Sequence, residues 1–370
     1  MKELPDCTYA PWFKDSTPFI EHEGKILETR LEHMQGFLTP LPYFFVRNAS
    51  SSVAVDAAGW RLRIEGDAVR RPLELSYEEI LQMPARTVYA YLECAGNQRA
   101  MFELVKGQPT PGNPWKTGGV GNAEWTGAPV AEVLHRAGLQ PDAVDTLFVG
   151  LDKQSPENGF RRPLPVAKAL HPDTLLVYAM NGETLPKDHG FPLRLLVPGW
   201  VGSSSVKWLE RIVVSRQRLW SRNNTTAYVL VGDAYEPEGQ AEGQVATTQT
   251  IKSALALPWP AQLPAGVHRL YGYAHSPFGR IAKVEWSSDG GCTWQEASVL
   301  DPQIQYSWAR FVFSWPAAPG SYNLLTRATD SAGNTQPDDV PLNREGYLFN
   351  APVPHPVKVS EPLAGESHYA

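Results

Sequence analysis

The chain has 370 residues, 42% of them hydrophobic and 19% charged, with a formal net charge of −6. That length and composition suit about two folded domains and exclude a disordered chain. The acidic balance speaks against a general nucleic-acid binder but leaves room for a local anion site.

In chain order, the first marked feature is LTPLPYFFVRN, residues 38–48. Prolines 40 and 42 argue against a helix, and YFFV reads as a short extended run. WRLRIEG alternates apolar and polar residues, as a strand with one exposed face does. Ser76 with Glu79 three places on caps a helix over LSYEEILQM. VYAYLEC is a β-branched and aromatic strand closed by the turn residues AGN. Val130, Val133, Leu134 and Ala137 lie at helical spacing, with Gly138 as the stop. TLFVGLD, LLVYAM and PLRLLVPGW read as buried strands, and VKWLERIVVS follows a glycine-serine turn. Near residue 230 the character changes. After the acidic stretch EPEGQAEG come short strands such as HRLYGYAHS, IAKVEWSSDGG, SWARFVFSW and SYNLLTRATDSAGN. Turns at Asp289-Gly290-Gly291 and Ala332-Gly333-Asn334 complete the pattern of an antiparallel β-sandwich, with Trp286, Trp294, Trp308 and Trp315 expected in its core. No apolar run reaches the ~18 residues of a membrane helix. The N-terminal MKELPDCTYAPWFKD lacks an apolar signal core, so a cytoplasmic location is expected and no membrane partner.

Three constellations could carry chemistry. The cysteines, Cys7, Cys94 and Cys292, form no CxxC, which disfavours a disulfide framework, a zinc knuckle and covalent haem. Cys94 ends a buried strand before a glycine turn, with Arg99 five residues on to favour a thiolate. A buried hydrophobe is the bland reading; a soft ligand for a high-valent metal is the sharp one. Between Lys187 and Arg222 seven Lys/Arg face two acids, and VPGWVGSSSVKW with KDHGFPLR makes an anion cradle or a solvated basic face. Arg47 follows an aromatic run, and an arginine among aromatics needs an anionic partner. Trp115, in QPTPGNPWKTGG, is either a pocket wall or a packing residue.

FLTP…FFVRN, YLECAGNQR, GGVGNAEWTGAPVAEVL, LPKDHGFPLRLLVPGWVGSSSVKWL, SSDGGCTW and ATDSAGNTQPD occur together and in this order. In these strings the chain resembles the molybdopterin-dependent core of the sulfite oxidase family over nearly everything after residue 30. The resemblance implies an N-terminal irregular segment (1–35), an α+β molybdopterin-binding oxidoreductase domain (36–240) and an all-β immunoglobulin-like dimerisation domain (241–370). It implies one molybdenum–molybdopterin cofactor per chain, no haem, a small oxyanion substrate such as sulfite, an external electron acceptor and a homodimer. Cys94 would ligate the metal. Phe45, Val46, Arg47, Asn48, Ala49, Asp152, His189, Arg194, Ser205, Val206 and Lys207 would contact the cofactor. Arg47, Arg99 and Trp115 would line the substrate pocket with Cys94. The implied reaction is oxidation of sulfite, or a similar sulfur oxyanion, to sulfate; the alternative is reduction of a sulfoxide, nitrate or other oxo compound. The family's histidine two places after the pocket arginine is Ala49 here. Its pocket tyrosine falls on Thr225 by direct spacing or on Tyr228 by a shift, and its C-terminal arginine on Arg344 or on no residue.

Overall fold

The computed structural model describes residues 17–23, 26–34 and 36–361, so Cys7 and about half of the 1–35 segment lie outside the described residues. What is described of the 1–35 segment is not irregular. Phe19–His22 pairs antiparallel with Ile26–Thr29, because Ile26 and Leu27 have the side chains of Phe44, Phe45 and Val46 to pack on. The prolines of LTPLPY also do less than expected. Leu41–Tyr43 is one 3-10 turn with Pro42 inside it, since a first-turn residue needs no N–H partner. Only then does the chain extend, Val46 bridging Leu27 through both backbone groups.

The N-terminal half is built on two five-stranded sheets. One runs in the order Leu73–Ser76, Arg61–Glu65, Leu209–Ser215, Asp145–Gly150, Arg161–Pro165. The other runs Glu183–Thr184, Leu175–Met180, Val120–Pro129, Arg86–Glu93, with Arg194–Leu196 beside Leu175–Met180. Leu62 and Ile64 from the first, with Trp60 just ahead of its strand, and Leu176 and Leu195 from the second share one core with Leu134. Burial of each such side chain contributes about 1.5–3 kcal/mol. Ser76 and Glu79 do cap the helix Tyr77–Leu81 in a reciprocal box, and Val130–Arg136 ends before Gly138 in the left-handed region (φ 74°). Two elements carry no clear sequence signal. The helix Ala100–Lys106 follows the Cys94 turn directly. The strand Val120–Pro129 contains Gly121, where a Cβ would lie 2.6 Å from the Phe44 ring, and Gly127, where it would lie 2.2 Å from Leu176 O. Close packing, not strand propensity, selects those residues.

The C-terminal half is one path of eight strands, Lys252–Leu255, Gly266–His275, Ala309–Ala317, Gln295–Val299, Ile281–Ser287, Gly320–Asp330, His355–Ser360 and Ala261–Pro264, antiparallel except for the last pair. It curls so that its first strand meets Gly320–Asp330, Ser253 Oγ lying 2.8 Å from Thr326 Oγ1. This gives the sheet-rich, sandwich-like layer expected. Trp286, Trp308 and Trp315 are buried, whereas Trp294 is half-exposed and stacks on Arg327, 4.2 Å from its guanidinium carbon.

Candidate active site

Strand Arg86–Glu93 is buried over its last four residues and delivers Cys94 to a turn. Cys94 N donates to Gly119 O at 2.9 Å, and Asn97 N donates to Cys94 O at 2.9 Å. The loop Gly202–Ser205 closes over this strand end. A Cβ at Gly202 would lie 2.6 Å from Glu93 O, so only glycine allows the approach. Cys94, 9% exposed, therefore stands where two cavities meet, and Arg47 and Tyr228 line both with it.

The first cavity spans about 710 Å³, part of it open to solvent. It gathers Phe45, Arg47, Asn48, Ala49, Asp152, His189, Arg194, Ser205, Val206 and Lys207 from five separate stretches of chain. Val46 is the exception among the expected cofactor contacts. Its side chain packs on Phe19 and Leu27 and its backbone is spent on the Leu27 bridge. Arg194 is buried with no carboxylate partner among the described residues. Its guanidinium donates to His189 O at 3.0 Å and Ser205 O at 3.1 Å and lies over the Trp125 ring. Burial pushes it down to about 9. Lys207 donates to Asp188 O at 2.8 Å and to Asn48 Oδ1, and burial, then the Arg194 charge, holds it well below the ordinary lysine value. Asp152 is raised by burial and accepts from Phe160 N at 2.8 Å. Of the seven basic residues in 187–222, Arg194, Lys207 and Arg222 reach the two cavities that meet at Cys94; Arg211, Arg216 and Arg218 pair on the surface with Glu65, Asp142 and Glu238.

The second cavity, about 730 Å³, is lined by Arg99, Gly112, Asn113, Trp115, Arg222, Thr226, Ala227, Glu345 and Tyr347 besides the three shared residues. Trp115 is 1% exposed and forms a wall. Its loop is pinned by Glu28 of the hairpin, whose Oε1 accepts from Lys116 N at 2.9 Å and Gly118 N at 3.0 Å. Arg47 is half-buried and its affinity for the proton is raised, chiefly by the Tyr228 hydroxyl and further by Cys94, against the cost of burial. Of the two candidates 225 and 228, Tyr228, with φ 54°, lines this cavity and Thr225 does not, its Oγ1 donating back to Ser221 O at 2.8 Å. Arg344 stays outside, held by Glu242 at 2.7 Å. Arg222 supplies the third guanidinium, and among the described residues it has no carboxylate partner. Sequence reading missed Arg222, Glu345 and Tyr347. It also missed Arg162, buried behind the Tyr228 ring at 5.6 Å, while Tyr228 stacks on Tyr347 at 5.6 Å. Only contacts remote along the chain reveal these four.

The residues present fit a molybdenum–pterin group. Ser203 Oγ is buried in the first cavity without a hydrogen-bond partner, and a buried hydroxyl of that kind asks for a polar ligand. Arg194 and Lys207 are desolvated cations that an anion such as a cofactor phosphate would neutralise. Among the described residues no three His, Cys, Asp or Glu side chains cluster as a metal site. A metal at Cys94 must then draw its other soft ligands from a cofactor. A pH dependence follows for the metal-free protein. An anion in the cradle restores the proton affinity that burial has lowered, so binding takes up protons. Pyrophosphate is expected to bind with an affinity that falls as pH rises through about 9, where empty-site Arg194 loses its proton. Titration calorimetry in buffers of different ionisation enthalpy measures both terms.

Residues 49–223 match the oxidoreductase molybdopterin binding domain and residues 247–360 the Mo-co oxidoreductase dimerisation domain. The chain is 36% identical over 333 residues to a sulfite oxidase of Gallus gallus, covering 85% of this chain and 72% of that protein. It is 34% identical over 334 residues to the mitochondrial sulfite oxidase of Homo sapiens, covering 86% of this chain and 61% of that protein. Among solved structures it is similar to the sulfane dehydrogenase SoxCD from Paracoccus pantotrophus. There the TM-score is 0.79 and the identity 28%, over 93% of this chain and 86% of that one.

Proposed function

Because the chain belongs to the sulfite oxidase family of molybdopterin-binding oxidoreductases, we propose that it oxidises sulfite, or a sulfur oxyanion of similar size, to sulfate and passes the electrons to an external acceptor. When bound, the molybdenum–molybdopterin group supplies the oxo-transfer and two-electron chemistry. The chain's own residues do the rest. Arg194, Lys207 and the Gly202–Ser205 loop hold the anionic end of the cofactor. Cys94 offers its thiolate at the boundary of the two cavities. Arg47, Arg99 and Arg222 bring three positive charges to one oxyanion, which positions it and offsets its charge. Trp115 and Tyr347 wall the pocket and limit water, so those charges act at a lower local dielectric.

The observation that carries this reading is the sharing of Cys94 by the two cavities, one cradle-like and one lined by arginines. The test is metal analysis of protein made in a molybdenum-supplied host, with sulfite-dependent reduction of an artificial acceptor and sulfate as product. Loaded protein that ignores sulfite but oxidises a reduced donor with nitrate or a sulfoxide would favour the reductase alternative instead. The matched dimerisation module further supports a homodimer, and light scattering is expected to return twice the 40.9 kDa chain mass.

A further inference from the structure

Beneath the Cys94 turn lies a charged cluster that neither cavity uses. Glu93, Asn97, Gln249 and Lys252 are each at most 1% exposed. Lys252 Nζ lies 2.7 Å from Glu93 Oε1, and Asn97 Nδ2 donates to the same oxygen at 2.8 Å. Lys252 Nζ also donates to Asn97 O at 3.3 Å, and Gln249 Nε2 donates to Glu93 O at 2.9 Å. Lys252 and Gln249 belong to the C-terminal module, whereas Glu93 and Asn97 flank Cys94. Asn97 in turn fixes both ends of the turn, its N donating to Cys94 O and its Oδ1 accepting from Gly119 N at 2.9 Å.

A buried ion pair recovers little net stability, because each ion gives up its hydration; its better-attested use is to fix one arrangement among several. Here the arrangement it fixes is the backbone that carries Cys94. We propose that Lys252 is a positioning residue for Cys94: through Glu93 and Asn97 the C-terminal module locks the turn that points the thiolate at the two cavities. The module is thereby part of the metal site as well as a dimerisation unit. The inference rests on the family reading for the identity of the metal, but not for the clamp itself.

The test uses the full chain with Lys252→Met, which keeps the stem and removes the charge. In metal-free protein, alkylation of Cys94 by iodoacetamide, followed by peptide mass spectrometry, is expected to speed up as the turn loosens, and molybdenum retention in loaded protein to fall by about tenfold, the lower end of what losing an outer-shell partner costs at a metal site. In loaded protein the thiolate-to-metal absorption band is expected to shift while pterin content holds. The double variant Lys252→Met/Glu93→Gln, which leaves no uncompensated charge, should recover part of each change. A folded Lys252→Met protein with wild-type alkylation and a wild-type band overturns the proposal. Should Lys252→Met not fold, Glu93→Gln decides by the same two measurements. A change in alkylation alongside wild-type protein that takes up no molybdenum would sustain the clamp and sink the metal assignment.

Discussion

Cys94→Ala protein is expected to keep its pterin and lose its sulfite-dependent acceptor reduction. The two outcomes separate because the two tasks are separated in the structure. Arg194 and Lys207 hold the anionic end from the His189 loop and the residues after Ser205, and neither touches Cys94 through any hydrogen bond or ion pair described. Cys94 supplies one soft ligand and nothing else within reach replaces it, since no His, Cys, Asp and Glu cluster stands nearby among the described residues. Loss of an outer-shell partner costs about 10–100-fold in metal affinity or activity; loss of the ligand itself should exceed that range. Truncating a small, 9% exposed side chain beside Phe45, Leu92 and Trp115 costs little fold stability by comparison. Pterin fluorescence after acid release, metal analysis and the acceptor assay read the three quantities. Wild-type turnover in the alanine variant would remove Cys94 from the metal.

The features legible in the sequence are those whose cause is local. A β-branched strand running into AGN announces the Cys94 turn, because the alternation and the glycine act over ten residues. The Ser76–Glu79 box and the Gly138 stop are equally short-range. The cofactor cradle was half legible. The charge excess of 187–222 pointed to it, but charge counting cannot tell Arg194, buried against Trp125, from Arg216, which pairs with Asp142 at the surface. Register over a kink was not legible at all. Asn224 leaves helical geometry inside the short helix Arg222–Thr225, which carries the chain past Thr225 and turns Tyr228 into the site. The third arginine was sought near the C-terminus, where Glu345 now faces the pocket; Arg222 reaches the same space from 123 residues earlier, and no periodicity encodes that meeting. Strand Val120–Pro129 failed the propensity reading for the same reason, its glycines being demanded by Phe44 and Leu176.

The second large effect is expected at Arg99. Its Nε donates to Glu345 O at 2.7 Å and its Nη1 to Asn113 O at 3.0 Å, while its guanidinium carbon sits 5.2 Å from the centre of the Tyr347 ring. Three glycines clear the slot. A Cβ at Gly96 or Gly112 would lie 2.8 Å from a guanidinium nitrogen, and one at Gly346 2.9 Å from Arg99 Cγ. Two anchored donors and a stacked face leave Nη2 without a protein hydrogen-bond partner among the described residues, in a fixed direction, at the pocket wall. Such a preorganised donor contributes to holding charge without reorganising. Arg99→Gln is expected to lower kcat/KM by about 100- to 1,000-fold, the range seen when one oriented donor is removed from an oxyanion site. Arg99→Lys should recover little of it, because an ammonium cannot span two carbonyls and still present a donor to substrate. Arg222 provides the contrast. It is exposed and unanchored, so Arg222→Gln should raise KM modestly with kcat unchanged. That effect should fade as ionic strength rises, since exposed charges are screened over about 10 Å at 0.1 M salt. The Arg99 deficit should persist at the same ionic strengths. Steady-state kinetics of both variants across a salt series decides the point: equal salt sensitivity would mean that Arg99 acts as a diffuse charge and not as an oriented donor.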